Sequence, residues 1–153
     1  EDSVAKITPW GHNHFGIDAD YPIMKKRYFS GGAGLSSTAF DYAVFLQMLL
    51  NKGKYNGHQI LSPRTVEMIL SGQLDFMFDG TNNFGLGFAI VTDKGAAHGP
   101  TNKGSFSWGG YYGTYYWADP KENLVCLIMT QQNPNSHGDL MKKIEALVYA
   151  AIK

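Results

Sequence analysis

An α+β fold, an antiparallel sheet with flanking helices, is predicted by three observations in this 153-residue sequence. Two stretches of the first half place helix-starting residues directly before apolar runs. The second half holds four short strand-like stretches separated by glycine-rich or Asp-Pro turns. The chain then closes on apolar residues that recur at helical spacing.

Residues 1–35 read as an irregular segment, because Pro9, Gly11, Gly16, Pro22 and the Gly31-Gly32-Ala33-Gly34 cluster interrupt any period. A structureless run beyond about 15 residues in a compact domain signals function, disorder or a missing partner. Residues 36–153 read as the folded unit. Thr38, with Asp41 three positions on, resembles a capping box, and Ala39 to Asn51 is almost wholly apolar, Asp41, Gln47 and the closing Asn51 being polar. The first helix is therefore expected to be buried, and Asn51-Lys52-Gly53 ends it. Leu61-Ser62-Pro63 opens a second helix running to about Ser71, since serine suits the N-cap and proline the first helical position.

Strands are predicted over Leu86–Thr92, Ser105–Trp108, Thr114–Ala118 and Leu124–Gln131, the last two joined by a turn over Asp119–Asn123. Together they make an antiparallel meander. Leu124 to Met129 is apolar at every position, the pattern of a strand covered on both faces, yet a meander leaves it at the edge. Either helices cover both faces and the edge stays open, or strands from elsewhere in a longer parent protein pair with it. In the terminal helix, Leu140, Met141, Ile144, Leu147, Val148, Ala151 and Ile152 share a face, and Ser136 with Asp139 is spaced as a capping box.

Composition narrows the function. Lysine plus arginine and aspartate plus glutamate number 13 each, so nothing favours nucleic acid or an anionic membrane. One cysteine, Cys126, excludes an intrachain disulfide and a multi-cysteine zinc site, and its place in an apolar strand suits packing. No apolar run approaches the roughly 18 residues of a membrane span. The chain begins at Glu1, which reads as a processed or excised N-terminus. His12 and His14 with Asp18 and Asp20 have metal-ligand chemistry but read as a solvated loop, so no metal or other cofactor is expected. His58, His98 and His137 stand alone in sequence, and Lys25-Lys26-Arg27 reads as a solvated basic run.

The stretch with most chemical content is Ser107-Trp108-Gly109-Gly110-Tyr111-Tyr112-Gly113-Thr114. Glycines inside a strand pattern weaken it and mark a place where another backbone or a ligand approaches closely. Alternation puts Tyr115 and Trp117 on one face and Tyr116 on the other, so the aromatics both pack the sheet and offer a stacking wall. Ser107 is no nucleophile elbow, because Ser105 holds the first glycine position of that motif and a strand follows where a helix is required.

Taken in order, Gly31-Gly-Ala-Gly-Leu-Ser-Ser-Thr38, Asp41-Tyr42, Phe45-Leu-Gln-Met-Leu-Leu50, Leu61-Ser62-Pro63, Gly85-Leu86-Gly87-Phe88, Trp108-Gly109-Gly110, Gly113-Thr114 and Asp119-Pro120 resemble the C-terminal part of a serine beta-lactamase-like hydrolase. That superfamily takes in class C beta-lactamases, penicillin-binding D-alanyl-D-alanine peptidases and related esterases, and the resemblance runs from about Tyr28 to Lys153. It implies the C-terminal portion of a beta-lactamase/transpeptidase-like fold, with the active site between a helical region and the sheet. It also implies acyl-enzyme chemistry on a small acyl, beta-lactam or peptide substrate. Trp108-Gly109-Gly110 resembles the Lys-Thr-Gly-like triplet that walls the cleft. By that match Trp108, Gly109, Gly110 and Tyr112 bind substrate, and the backbone N–H of Tyr111 is the oxyanion donor.

Three departures shape the expectation. Tryptophan stands where lysine or histidine is common, which leans the resemblance toward the esterase branch or a divergent peptidase. No Tyr-x-Asn occurs. Ser3-Val4-Ala5-Lys6 matches Ser-x-x-Lys, but Pro9, Trp10 and Gly11 end any helix that it opens. The chain therefore reads as a fragment that lacks its nucleophile and is catalytically silent alone, with the N-terminal half of the parent as its partner. A homodimer through the exposed strand edge, a swap or aggregation is expected where that half is missing. The resemblance implies an extracytoplasmic bacterial location. The alternative is a non-catalytic module that binds peptide or cell-wall material on the aromatic edge.

Overall fold

The computed structural model describes residues 25, 27–32, 34–75, 78–132 and 139–152, and the architecture is α+β. Helix α1 spans Ala39–Leu50, and its N-cap forms as the sequence predicts: Thr38 Oγ1 accepts from the Asp41 amide at 3.1 Å and donates to the Asp41 carboxylate at 2.9 Å. Strands β1 (Lys54–Tyr55) and β2 (His58–Gln59) form a small hairpin. Helix α2 spans Pro63–Ile69 with Ser62 as its N-cap and proline in the first turn.

A five-stranded antiparallel sheet follows, built from β3 (Asn82–Phe84), β4 (Ala89–Val91), β5 (Phe106–Gly109), β6 (Tyr115–Asp119) and β7 (Leu124–Ile128) in spatial order β3-β4-β5-β6-β7. It contains the expected four-strand meander, extended at one edge by β3, which the sequence reading did not include, with a short helix α3 (Asp93–Ala96) after β4 and helix α4 (Leu140–Ala151) at the end. β4 begins later than predicted. Residues 85–88 form a turn closed by a 2.8 Å bond from the Gly85 amide to the Phe88 carbonyl, which takes Leu86 out of the ladder.

The core lies between α1, α2 and one face of the sheet. Leu46, Leu49 and Val66 from the helices meet Phe88, Ile90, Phe106, Tyr116 and Ala118, all buried. Phe106 pairs with Ala118 and Trp108 with Tyr116, so these four share that face. Helix α1 is less buried than its composition predicts: Leu46, Met48 and Leu49 are inside, but Phe40 is 74% and Phe45 39% exposed. Its apolar character extends around the helix, while the sheet covers one side. β7 ends the sheet among the described residues, and each of its five residues is half-buried. Val125 and Leu127 pack toward the core, while Cys126, opposite Trp117, takes the other face.

Helix α4 lies on that other face and is held there by polar bonds. None of its side chains is buried. The predicted face is only half used, since Leu147, Ala151 and Ile152 are exposed, and the Asp139 side chain makes no cap bond. Ser136, its predicted partner, lies outside the described residues. Instead the Tyr149 hydroxyl donates to Asp119 at 2.6 Å, and Glu145 accepts from the Tyr115 hydroxyl at 2.6 Å. Asp119 is wholly buried and also accepts from the Asn102 side chain at 2.8 Å and the Lys121 amide at 2.9 Å.

Burial alone pushes the Asp119 carboxyl up, but the Tyr149 and Asn102 bonds, helped by the Glu122 and Lys121 amides, outweigh it and hold the carboxyl below its ordinary value. Burial raises Glu145, and the Tyr115 bond and the Lys142 charge offset only part of that rise. The two carboxylates therefore respond to pH in opposite senses. The contribution of Asp119 is present above its ordinary pKa of 3.8 and is lost as pH falls through its lowered folded value. That of Glu145 is complete below its ordinary 4.5 and is lost as pH rises through its raised value.

Removing the phenol in Tyr149→Phe is expected to cost about 1.5–3 kcal/mol at neutral pH, the usual worth of a hydrogen bond to a charged group. Urea unfolding followed by circular dichroism checks this, and the difference between wild type and variant should shrink as pH falls below 3.8 and through the lowered folded value of Asp119.

Candidate functional site

The predicted binding stretch occupies the end of β5 and the turn into β6. The ladder between β4 and β5 stops at the pair Ala89–Ser107, whereas that between β5 and β6 continues through Trp108–Tyr116 and Gly109–Tyr115. The Trp-Gly-Gly strand is the middle strand of the sheet, and only its C-terminal end runs past its neighbour. The edge is local, created because residues 85–88 turn away before β4 begins.

Beyond Gly109 the chain reverses tightly. The Gly110 amide donates to the Thr114 carbonyl at 2.8 Å, and the Gly113 amide returns to the Gly110 carbonyl at 3.1 Å. Gly113 has φ of 78°, a region where a side chain is strained, which explains the residue type there. The glycines at 109 and 110 answer to space: a Cβ on Gly109 would sit 3.1 Å from the Thr114 carbonyl oxygen, and one on Gly110 would overlap Thr114 Oγ1. The close approach expected of these glycines is thus made in part by the chain itself. The turn is also tied to the segment after β7, because the Tyr112 carbonyl accepts from Thr130 Oγ1 at 3.0 Å and from the Gln132 amide at 2.9 Å.

Two aromatic rings flank this turn. Trp108 is 39% and Tyr111 43% exposed. Phe84 of β3 meets the Trp108 ring edge-on at 4.7 Å, and Tyr111 meets Tyr112 edge-on at 5.2 Å. Phe84 is in turn held by Leu74, whose amide and carbonyl exchange bonds of 3.0 and 2.8 Å with it. Sequence reasoning missed Phe84 and Thr130, since neither is near the motif in the chain and only the sheet order brings them there. Residues 105–118 contain no lysine, arginine or histidine, so this stretch carries no cation of its own.

The phenols are poor bases. Burial, followed by the Tyr42 phenol, raises Tyr116; burial, followed by Glu145, raises Tyr115. Both stay protonated at neutral pH. Tyr115 and Trp117 lie on the α4 face with their rings 5.9 Å apart, while Tyr116 meets Tyr42 at a tilt, 4.7 Å between ring centres, on the core face, as alternation predicts.

Other predicted residues lie elsewhere. Ser3, Lys6, His12, His14, Asp18, Asp20, Lys26 and His137 are outside the described residues. His58 is exposed in the small hairpin, and the His98 ring bonds the Lys94 carbonyl at 2.7 Å. Among the described residues no group of three or more histidine, cysteine, aspartate or glutamate side chains is placed to hold a metal.

A family model described as Beta-lactamase matches residues 2–150. Protein Rv1367c of Mycobacterium tuberculosis is 36% identical over 130 residues, which is 76% of this chain and 32% of that protein. A putative D-alanyl-D-alanine carboxypeptidase of Escherichia coli is 33% identical over 140 residues, 88% of this chain and 29% of that protein. Among solved structures, EstCE1, a hydrolase with promiscuous acyltransferase activity, superposes with a TM-score of 0.73 at 26% identity, covering 85% of this chain and 34% of that one. The chain thus spans about a third of the length of the relatives it matches.

Replacing Gly113 by alanine keeps the side chain small but forces it into the left-handed region, at a cost of about 1–2 kcal/mol. A lower denaturation midpoint for Gly113→Ala, with little change in the far-ultraviolet spectrum, is the expected outcome.

Proposed function

The chain belongs to the beta-lactamase family, and from that premise we propose that it supplies the sheet side of a serine acyl-hydrolase cleft. Trp108, Gly109 and Gly110 form the wall, Tyr112 backs it, and the Tyr111 amide is the oxyanion donor. The observation that carries the reading is the β5–β6 pairing that runs on past β4, which presents the Trp-Gly-Gly backbone beside a turn with the aromatic rings around it.

The chemistry follows from the parts. A serine outside this chain attacks the acyl carbonyl carbon, and the carbonyl electrons move onto oxygen. Backbone N–H groups stabilise that developing charge best when they are already in place, and a strand end followed by a tight turn holds its amide without further ordering. Collapse expels the alcohol or amine and leaves an acyl-enzyme, which water then hydrolyses. Tyr115 and Tyr116, held protonated, do not act as bases in this scheme.

The wall suits a neutral acyl group. Trp108 offers an apolar face where a lysine would pair with a substrate carboxylate, and residues 105–118 bring no other cation. We therefore favour esters or similar acyl donors over anionic beta-lactams. The acyltransferase description of EstCE1 accords with this choice.

The test uses a longer protein that contains this segment and its serine. Tyr111→Pro removes the N–H while leaving the carbonyl, and kcat for p-nitrophenyl butyrate is expected to fall about 10²–10³-fold, the usual worth of one oxyanion donor. KM should change much less. A folded Tyr111→Pro variant with undiminished kcat contradicts the assignment.

A further inference from the structure

Trp108 stands one residue beyond the end of the β4–β5 ladder, with its indole exposed. A tryptophan ring turns about two side-chain torsions, so a site that uses its face needs a neighbour to hold it. Phe84 is that neighbour, and it comes from outside the Trp-Gly-Gly motif: its ring meets the indole edge-on with 4.7 Å between centres. Such a pair is directional, because the positive edge of one ring seeks the negative face of the other.

The contact depends on where β4 begins. Two strands separated by a third lie about 9–10 Å apart, too far for rings on β3 and β5 to meet across a complete ladder. Here β4 starts only at Ala89, which pairs with Phe84 on one side and Ser107 on the other, so at the level of Trp108 no β4 rung stands between them. Phe84 is itself fixed. It forms an antiparallel bridge with Leu74, and its carbonyl also accepts from the Gln73 amide at 2.8 Å. With the ladder to Ala89 on the opposite side, its backbone is tied on both sides and its side chain is half-buried.

We propose that Phe84 is a positioning residue for the acyl-transfer site: it holds the Trp108 indole as a fixed apolar face for the acyl chain and so sets the preference for chain length. The inference rests on the acyl-hydrolase reading above and adds to it a residue remote from the motif. Methylenes laid on that face are in contact in the ground state and the transition state alike, so loosening the face raises KM and leaves kcat nearly unchanged. An acetyl group has only its methyl to place there and serves as the reference.

The test compares kcat/KM for p-nitrophenyl hexanoate and p-nitrophenyl acetate in a longer protein that carries this segment and its serine. Phe84→Leu keeps an apolar side chain but removes the ring, and the hexanoate-to-acetate ratio is expected to fall about 2–10-fold through KM, the worth of one aromatic pair. Phe84→Tyr keeps the ring and should hold the wild-type ratio. In a Trp108→Ala background, Phe84→Leu should change the ratio no further, as expected of a residue that acts through the indole. Phe84→Met gives the same reading where Phe84→Leu does not fold. An unchanged ratio in the folded variant overturns the proposal, and so does an equal fall for both esters. Tyr111→Pro acts on kcat for both esters alike, so a failure of the oxyanion assignment is a separate result. Hydrolysis of neither ester by the wild-type protein overturns the acyl-hydrolase reading itself and this inference with it.

Discussion

The pairing of β5 with β6 is the constraint on which the rest of this structure depends. Its register places Phe106 against Ala118 and Trp108 against Tyr116 on one face, and Ser107 against Trp117 on the other. Because side chains alternate strictly along a strand, a slip of one residue would exchange the two faces, moving Phe106 out of the core and the serines into it. The same register carries Gly109 opposite Tyr115, beyond the end of β4, and so delivers the tight turn and its amides to the end of the sheet.

The two faces then follow different physics. On the core face, α1 and α2 cover aromatic and aliphatic residues, and Phe88 meets Phe106 edge-on at 5.3 Å, a geometry worth something beyond area alone. On the other face α4 is held by two phenol–carboxylate bonds that connect residues thirty apart in sequence, Tyr115 to Glu145 and Asp119 to Tyr149. Asp119 does two jobs there: it closes the turn after β6 through the Lys121 and Glu122 amides and anchors α4 through Tyr149.

Much of this was legible in the sequence where local chemistry decides. Thr38 and Ser62 announced their helices because a side-chain oxygen caps the first turn. The meander was legible from alternation and turn residues. The β1–β2 hairpin was missed although Asn56-Gly57, with φ of 46° and 83°, is a strong short-range hairpin signal. The start of β4 was misjudged because an apolar Leu86 in a turn looks like a strand residue. The anchoring of α4 could not be seen, since Glu145 and Tyr149 are outside the apolar set that marks the helix and only the sheet brings Tyr115 and Asp119 beneath them. At the candidate site, Trp108 to Tyr112 were legible as a motif, but the exposed strand end owes its form to Phe84 and to the early turn of residues 85–88, which are remote in sequence.

The central claim is that this segment shapes an acyl-transfer site whose nucleophile lies outside it. Active-site labelling tests that most directly. A longer protein carrying the segment is treated with a fluorophosphonate, digested and mapped by mass spectrometry. The account predicts one modified serine, located outside these 153 residues. A phosphonylated serine within them, Ser3 above all, would contradict it.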